Sequence, residues 1–98
     1  DEAFVRRLTF KIRFPAPDQD ERETLWQRML PPEMAFAPEV ELSELARRFA
    51  VTGGFIRNAV VRASLIALHA GSARVLRNAH LVQAIREELE EAGRLASA

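Results

Sequence analysis

A single strand-like stretch near the amino end, followed only by helix-like sequence, is the feature that most limits what this chain can form. Residues Leu8–Phe14 alternate between apolar and polar side chains, the period of two of a half-buried strand. Pro15 and Pro17 end the pattern because proline cannot donate to a β ladder. A lone strand leaves its backbone groups unpaired, and even a two-stranded hairpin is marginal. We therefore expect the partner strands to lie upstream, in a longer parent chain.

Two helices are predicted directly after the prolines. The first opens at Asp18, with Glu21 three residues on in the spacing of a capping box, and it ends near Leu30. Residues 32–38 are predicted to form a loop because of their prolines. The second helix covers roughly residues 41–49, where apolar side chains recur at helical spacing.

Two more helices complete the prediction. The third begins after Thr52, a good N-cap, and Gly71 supplies the left-handed position that ends it. It is apolar around much of its circumference, which is typical of the middle of a bundle. The last helix runs from about Asn78 to Ala92. Its predicted inward residues are Leu81, Val82, Ile85 and Leu89, and its predicted solvent-facing residues are Glu87, Glu88, Glu90 and Glu91.

Composition limits the class of protein further. The chain has 98 residues, enough for one compact core. Fourteen basic side chains balance fourteen acidic ones, so the positive field that drives sequence-independent binding to nucleic acid or anionic lipid is missing. Cysteine is absent, which excludes disulfides, and no apolar run is long enough for a membrane span. We expect a cytoplasmic protein without a membrane or nucleic-acid partner.

Two segments carry a resemblance to a known family. The opening Asp1-x-Ala3-Phe4-Val5-Arg6-Arg7, the strand after it, and Pro15-x-Pro17-Asp18 with Arg22 resemble the second region of homology of AAA+ ATPases running into their helical lid. The segment 52–59, Thr-Gly-Gly-Phe-Ile-Arg-Asn-Ala, is similar to the sensor-2 segment that opens the third lid helix of that family. The match spans nearly the whole chain.

The resemblance implies a mainly all-α fold, a four-helix lid preceded by one orphan strand. Residues 1–14 would be the end of the α/β nucleotide-binding domain, and residues 15–98 the helical lid domain. The parent protein would bind ATP or ADP with Mg²⁺ and hydrolyse ATP in a ring, with six copies suggested by the family. Neighbouring copies would be its partners, together with a protein or complex on which the motor acts.

Individual residues take their roles from the same resemblance. Arg6 and Arg7 would be arginine-finger candidates that reach the γ-phosphate held by the neighbouring subunit, a task suited to a fixed charge with a planar fork of donors. Gly53, Gly54 and Arg57 would contact the nucleotide bound in the same chain. Without the resemblance, Arg6 and Arg7 read as surface arginines, and the second group as a glycine turn followed by a solvated arginine.

Motifs that are absent limit the activity of the chain. There is no phosphate-binding loop and no acidic strand end to hold Mg²⁺, so we expect this chain alone to be inactive and to bind no cofactor. His69 and His80 lack the spacing of a metal site, so no metal site is predicted. Trp26 is predicted to pack in the core.

Two alternatives stay open at the level of sequence. The first is a helical nucleic-acid-binding module, in which the helix that carries Arg57 and Arg62 would lie in a groove of the nucleic acid. The second is a protein-interaction module that binds through its exposed strand, without an ATPase role.

Overall fold

The computed structural model describes residues 16–97, which form a helical bundle with one short two-stranded sheet. The predicted strand, the segment 1–14 and therefore the proposed domain boundary lie outside the described residues. The mainly helical fold class is confirmed for the rest. The elements in chain order are α1 Gln19–Met29, β1 Ala35–Phe36, α2 Leu42–Arg48, α3 Gly53–His69, β2 Val75–Leu76 and α4 Asn78–Ser97.

Local capping fixes where the first helix begins, as predicted. The Asp18 side chain accepts a hydrogen bond from the backbone N–H of Glu21 at 2.8 Å. The Glu21 carboxylate accepts the N–H of Asp18 at 2.9 Å in return. This reciprocal capping box satisfies two N–H groups that would otherwise lack partners at the helix start.

The third helix lies at the centre of the bundle and packs against both α1 and α4. Thr52 caps it, since its hydroxyl accepts the N–H of Phe55 at 3.1 Å. The turn after it places Gly71 at a φ of 71°, the left-handed geometry predicted for that residue. Its small buried side chains let its neighbours approach closely. These residues are Ala59, Ala63, Ser64 and Ala67.

The segment predicted to be a loop contains a strand. Ala35 and Phe36 pair in parallel with Val75 and Leu76, in the register Ala35 to Val75. Two residues are too few to show an alternating pattern, and the partner strand lies about forty residues away in sequence. The pairing joins the α1–α2 connection to the α3–α4 connection.

The fourth helix is longer than predicted, and part of its predicted inward face is exposed. Leu81 and Ile85 are buried, but Val82 is 43% exposed and Leu89 50% exposed. The reason is that α4 packs chiefly against α3, so only a narrow stripe is covered. The prediction that Glu88 faces solvent is also wrong, because its side chain is only 12% exposed against α3.

Trp26 anchors the core, as predicted. It is fully buried on α1 and packs in one cluster with residues of α2, α3 and α4. Its indole Nε1 has no hydrogen-bond acceptor among residues 16–97. The energetic role of Trp26 is therefore the packing of its rings and not a polar contact.

Candidate functional site

The structure brings three of the sequence-predicted site residues together at the start of α3. Gly53 and Gly54 are the first two residues of the helix, and Arg57 follows within about one turn. The Arg57 side chain is exposed. The other two predicted residues, Arg6 and Arg7, lie outside the described residues.

Backbone donors are available at this end of the helix. Thr52 satisfies one of the four N–H groups that have no acceptor within the helix, because its hydroxyl accepts the N–H of Phe55; its carbonyl accepts the first regular helical bond, from Ile56. The N–H groups of Gly53 and Gly54 have no acceptor within residues 16–97. No acidic side chain of the first turn offsets the positive end of the helix dipole, which favours an anion.

Neither glycine is required by the packing of the described residues. A Cβ on Gly54 would find its nearest neighbour, the Thr52 hydroxyl oxygen, at 4.0 Å. A Cβ on Gly53 would meet Leu25 Cδ1 at 3.6 Å, an ordinary contact. Neither residue has a positive φ. Within residues 16–97, packing and backbone geometry therefore give no reason for glycine at either position.

Two arginines of α3 have different surroundings. Arg62 donates to Glu88 at 2.9 Å and to Glu87 at 3.3 Å, both on α4. The hydrogen bond to Glu88 is the main cause that raises the pKa of Arg62 above its ordinary value. Arg57 makes no ion pair or hydrogen bond with residues 16–97. Arg57 is thus available to a ligand, whereas the charge of Arg62 is already balanced.

The same face of α3 becomes apolar away from its amino end. Val61, Leu65 and Leu68 are each more than half exposed and recur three and four residues apart. Arg57, Val61 and Leu65 line one shallow groove, which Glu88 closes on the α4 side. We call this the α3 outer face, made of Gly54, Arg57, Asn58, Val61, Leu65 and Leu68.

A second groove, which sequence reasoning missed, borders the site on α1. Leu25 and Arg28 line it, and a Cβ on Gly53 would lie 3.6 Å from Leu25 Cδ1, so the groove adjoins the first turn of α3. The sequence places Leu25 on the apolar stripe of α1. Its spacing gives no signal of which helix end that residue meets, because the meeting point depends on how α1 crosses α3.

Neither histidine lies at this site. His69 is exposed at the last turn of α3. His80 is buried, and its Nδ1 accepts the backbone N–H of Arg77 at 3.0 Å, which closes the first turn of α4. In the described part of the chain, no three His, Asp or Glu side chains are grouped closely enough to hold a metal ion. None of the helices within residues 16–97 combines the length and hydropathy of a bilayer span.

No protein-family model matches this chain, and no curated protein matches its sequence. The family resemblance therefore rests on the quoted motifs and their order.

Proposed function

We propose that this chain is the end of a nucleotide-binding domain and the helical lid of an AAA+ ATPase. In this proposal the lid contacts ATP or ADP through the start of α3 and passes the nucleotide state on as rigid-body motion. The nucleotide, with Mg²⁺, would supply the reactive phosphoryl group in the parent protein. The described residues would bind and orient its phosphates.

One observation carries the proposal: the start of α3 offers donors that no acceptor within residues 16–97 uses. The N–H groups of Gly53 and Gly54 and the guanidinium of Arg57 lie within the first five residues of one helix. All three carry positive or partly positive charge, and no acidic residue of that turn opposes them. Bonds between such donors and phosphate oxygens are charge-assisted, which makes them stronger than neutral hydrogen bonds.

The exposed apolar side chains of the α3 outer face favour the presence of another domain or subunit next to this site. Val61 and Leu65 lie on the same side of α3 as Arg57. If Arg57 points towards a nucleotide, these two side chains therefore point in the same general direction. Exposed apolar side chains at this spacing are typical of a surface that another domain or subunit covers. In the proposed ring, Arg6 and Arg7 would act across the subunit boundary as arginine fingers, and a protein or complex would be the substrate of the motor.

Arg57→Ala in the parent protein tests this proposal. A lost hydrogen bond to a charged group costs about 1.5–3 kcal/mol, so the affinity for ATP should fall roughly 10- to 150-fold. The fold should survive, because Arg57 is exposed and has no partner among residues 16–97, and such a side chain contributes within about 0.5 kcal/mol to stability. Arg86→Ala, which removes an exposed arginine of α4, is the matched control and should leave nucleotide affinity unchanged. Equal affinities in the two variants would refute the role of Arg57.

The nucleic-acid alternative has less support. It needs both Arg57 and Arg62 to contact phosphates, and Arg62 is held by two carboxylates of α4. A DNA titration at several salt concentrations separates the two functions, since phosphate contacts lose affinity steeply as ionic strength rises.

A further inference from the structure

Arg22 of α1 belongs to the motif that carries the family resemblance, and its contacts lie at the point where the chain enters the bundle. Its Nη1 donates to the carbonyl of Pro17 at 2.8 Å, and its Nε donates to the carbonyl of Ala46 at 2.9 Å. The side chain is half-buried and forms no ion pair with residues 16–97. The guanidinium of Arg22 thus links Pro17, the residue before the N-cap of α1, to the last turn of α2.

The carbonyl of Ala46 has a physical reason to need this donor. The carbonyl of Ala46 lies in the last turn of α2, where carbonyls lack the usual partner from the helix, and a positive charge is favourable there. Ala46 is fully buried, so water cannot easily replace the bond. Arginine suits the task because its planar fork presents several donors in fixed directions, whereas lysine carries a single flexible ammonium group.

The backbone between Ala16 and the first turn of α1 has little conformational freedom. Ala16 stands between Pro15 and Pro17, and each proline fixes its own φ and restricts the residue before it. Immediately after Pro17, the capping box holds Asp18. Few backbone torsions are therefore free between Ala16 and the first turn of α1. The Arg22 contact to Pro17 anchors this stiff segment to α2.

We propose that Arg22 is a positioning residue that fixes the direction in which the chain enters the helical domain. Its two bonds hold the Ala16–Pro17 segment against α2, so that the upstream part of the protein and the α1–α2 pair turn together. We call these two Arg22 contacts, to Pro17 and to Ala46, the joint. Its use to pass nucleotide-dependent movement into the lid rests on the function proposed above. The joint itself does not depend on a nucleotide.

Distance measurement between two spin labels tests the joint. The chain has no cysteine, so Ala16→Cys and Ser43→Cys give two unique labelling sites, both exposed, one at the chain entry and one on α2. With Arg22 present, we expect one narrow distance distribution from double electron–electron resonance. Arg22→Met and Arg22→Lys should each at least double its width. Arg28→Met, which removes an exposed arginine from the same helix, should leave the width unchanged.

Two results would overturn the proposal. One is an unchanged width in Arg22→Met with the helical circular dichroism signal intact, because the entry segment would then hold its direction without Arg22. The other is a loss of that signal in both Arg22 variants, which would assign the residue to folding alone. Neither measurement uses nucleotide, so the outcome is independent of the Arg57→Ala result.

Discussion

Gly54→Ala should raise the stability of the helical domain while it lowers nucleotide affinity. The residue is in the first turn of α3, and a Cβ there would find no atom closer than 4.0 Å. Alanine in place of this glycine should therefore increase the free energy of unfolding, by at most about 1 kcal/mol, the value for a helix interior. A methyl group at the same place would block a phosphate from the backbone N–H, at a cost of about 1.5–3 kcal/mol, or roughly a 10- to 150-fold loss of affinity.

The two effects are measured separately. Urea unfolding of the 98-residue chain can be followed by the fluorescence of Trp26, its single and fully buried tryptophan. Nucleotide affinity is measured by titration of the parent protein. Gly93→Ala is the matched control: that glycine lies in α4 with no atom within 4 Å of a Cβ, so its replacement should stabilise the fold without changing affinity.

The reasoning about Gly54 fails in either of two cases. If Gly54→Ala lowers the free energy of unfolding, the stability of the fold requires glycine at this position. If nucleotide affinity in Gly54→Ala equals that in Gly93→Ala, no ligand approaches the backbone at this turn.

Two further predictions concern the stability of the domain. Trp26→Phe should stay within about 1 kcal/mol of the parent sequence, because removal of a buried indole N–H that has no acceptor among residues 16–97 offsets the smaller ring, whereas Trp26→Ala should cost about 3–5 kcal/mol. Urea unfolding followed by circular dichroism measures both variants, and a loss in Trp26→Phe as large as that in Trp26→Ala would contradict this reasoning. His80→Gln should keep the cap that His80 gives to the N–H of Arg77, since glutamine suits the third position of a capping box, and His80→Ala should lose about 1 kcal/mol. Thermal unfolding that places the glutamine variant no higher than the alanine variant would contradict the capping role.

The exposed apolar residues of α4 show what the spacing of apolar side chains can and cannot predict. Helical spacing places Val82 and Leu89 with Leu81 and Ile85 on one apolar side, yet only the latter pair is buried. Periodicity gives the direction of each side chain around its own helix, but not the width of the neighbouring surface that covers it. Because α4 packs chiefly on α3, the edge of its apolar side stays exposed.

At the candidate site, Gly53, Gly54 and Arg57 are predicted only through the resemblance of segment 52–59 to the sensor-2 segment of AAA+ ATPases, and that prediction stays untested. The sequence could not indicate that Arg62 has two carboxylate partners while Arg57 has none among residues 16–97. The distinction depends on Glu87 and Glu88, which lie about 25 residues further on and reach Arg62 only because α3 and α4 pack side by side.

What the sequence determined by itself is local. The helix ends follow from Asp18, Glu21, Thr52 and Gly71, because a cap is a bond between a side chain or a backbone turn and groups three or four residues away. The tertiary structure alone decided the parallel pairing of the two short strands, the Arg62 ion pairs and the exposure of the α3 outer face. Each of these depends on groups that are distant in sequence, and only packing of the whole core brings such groups together.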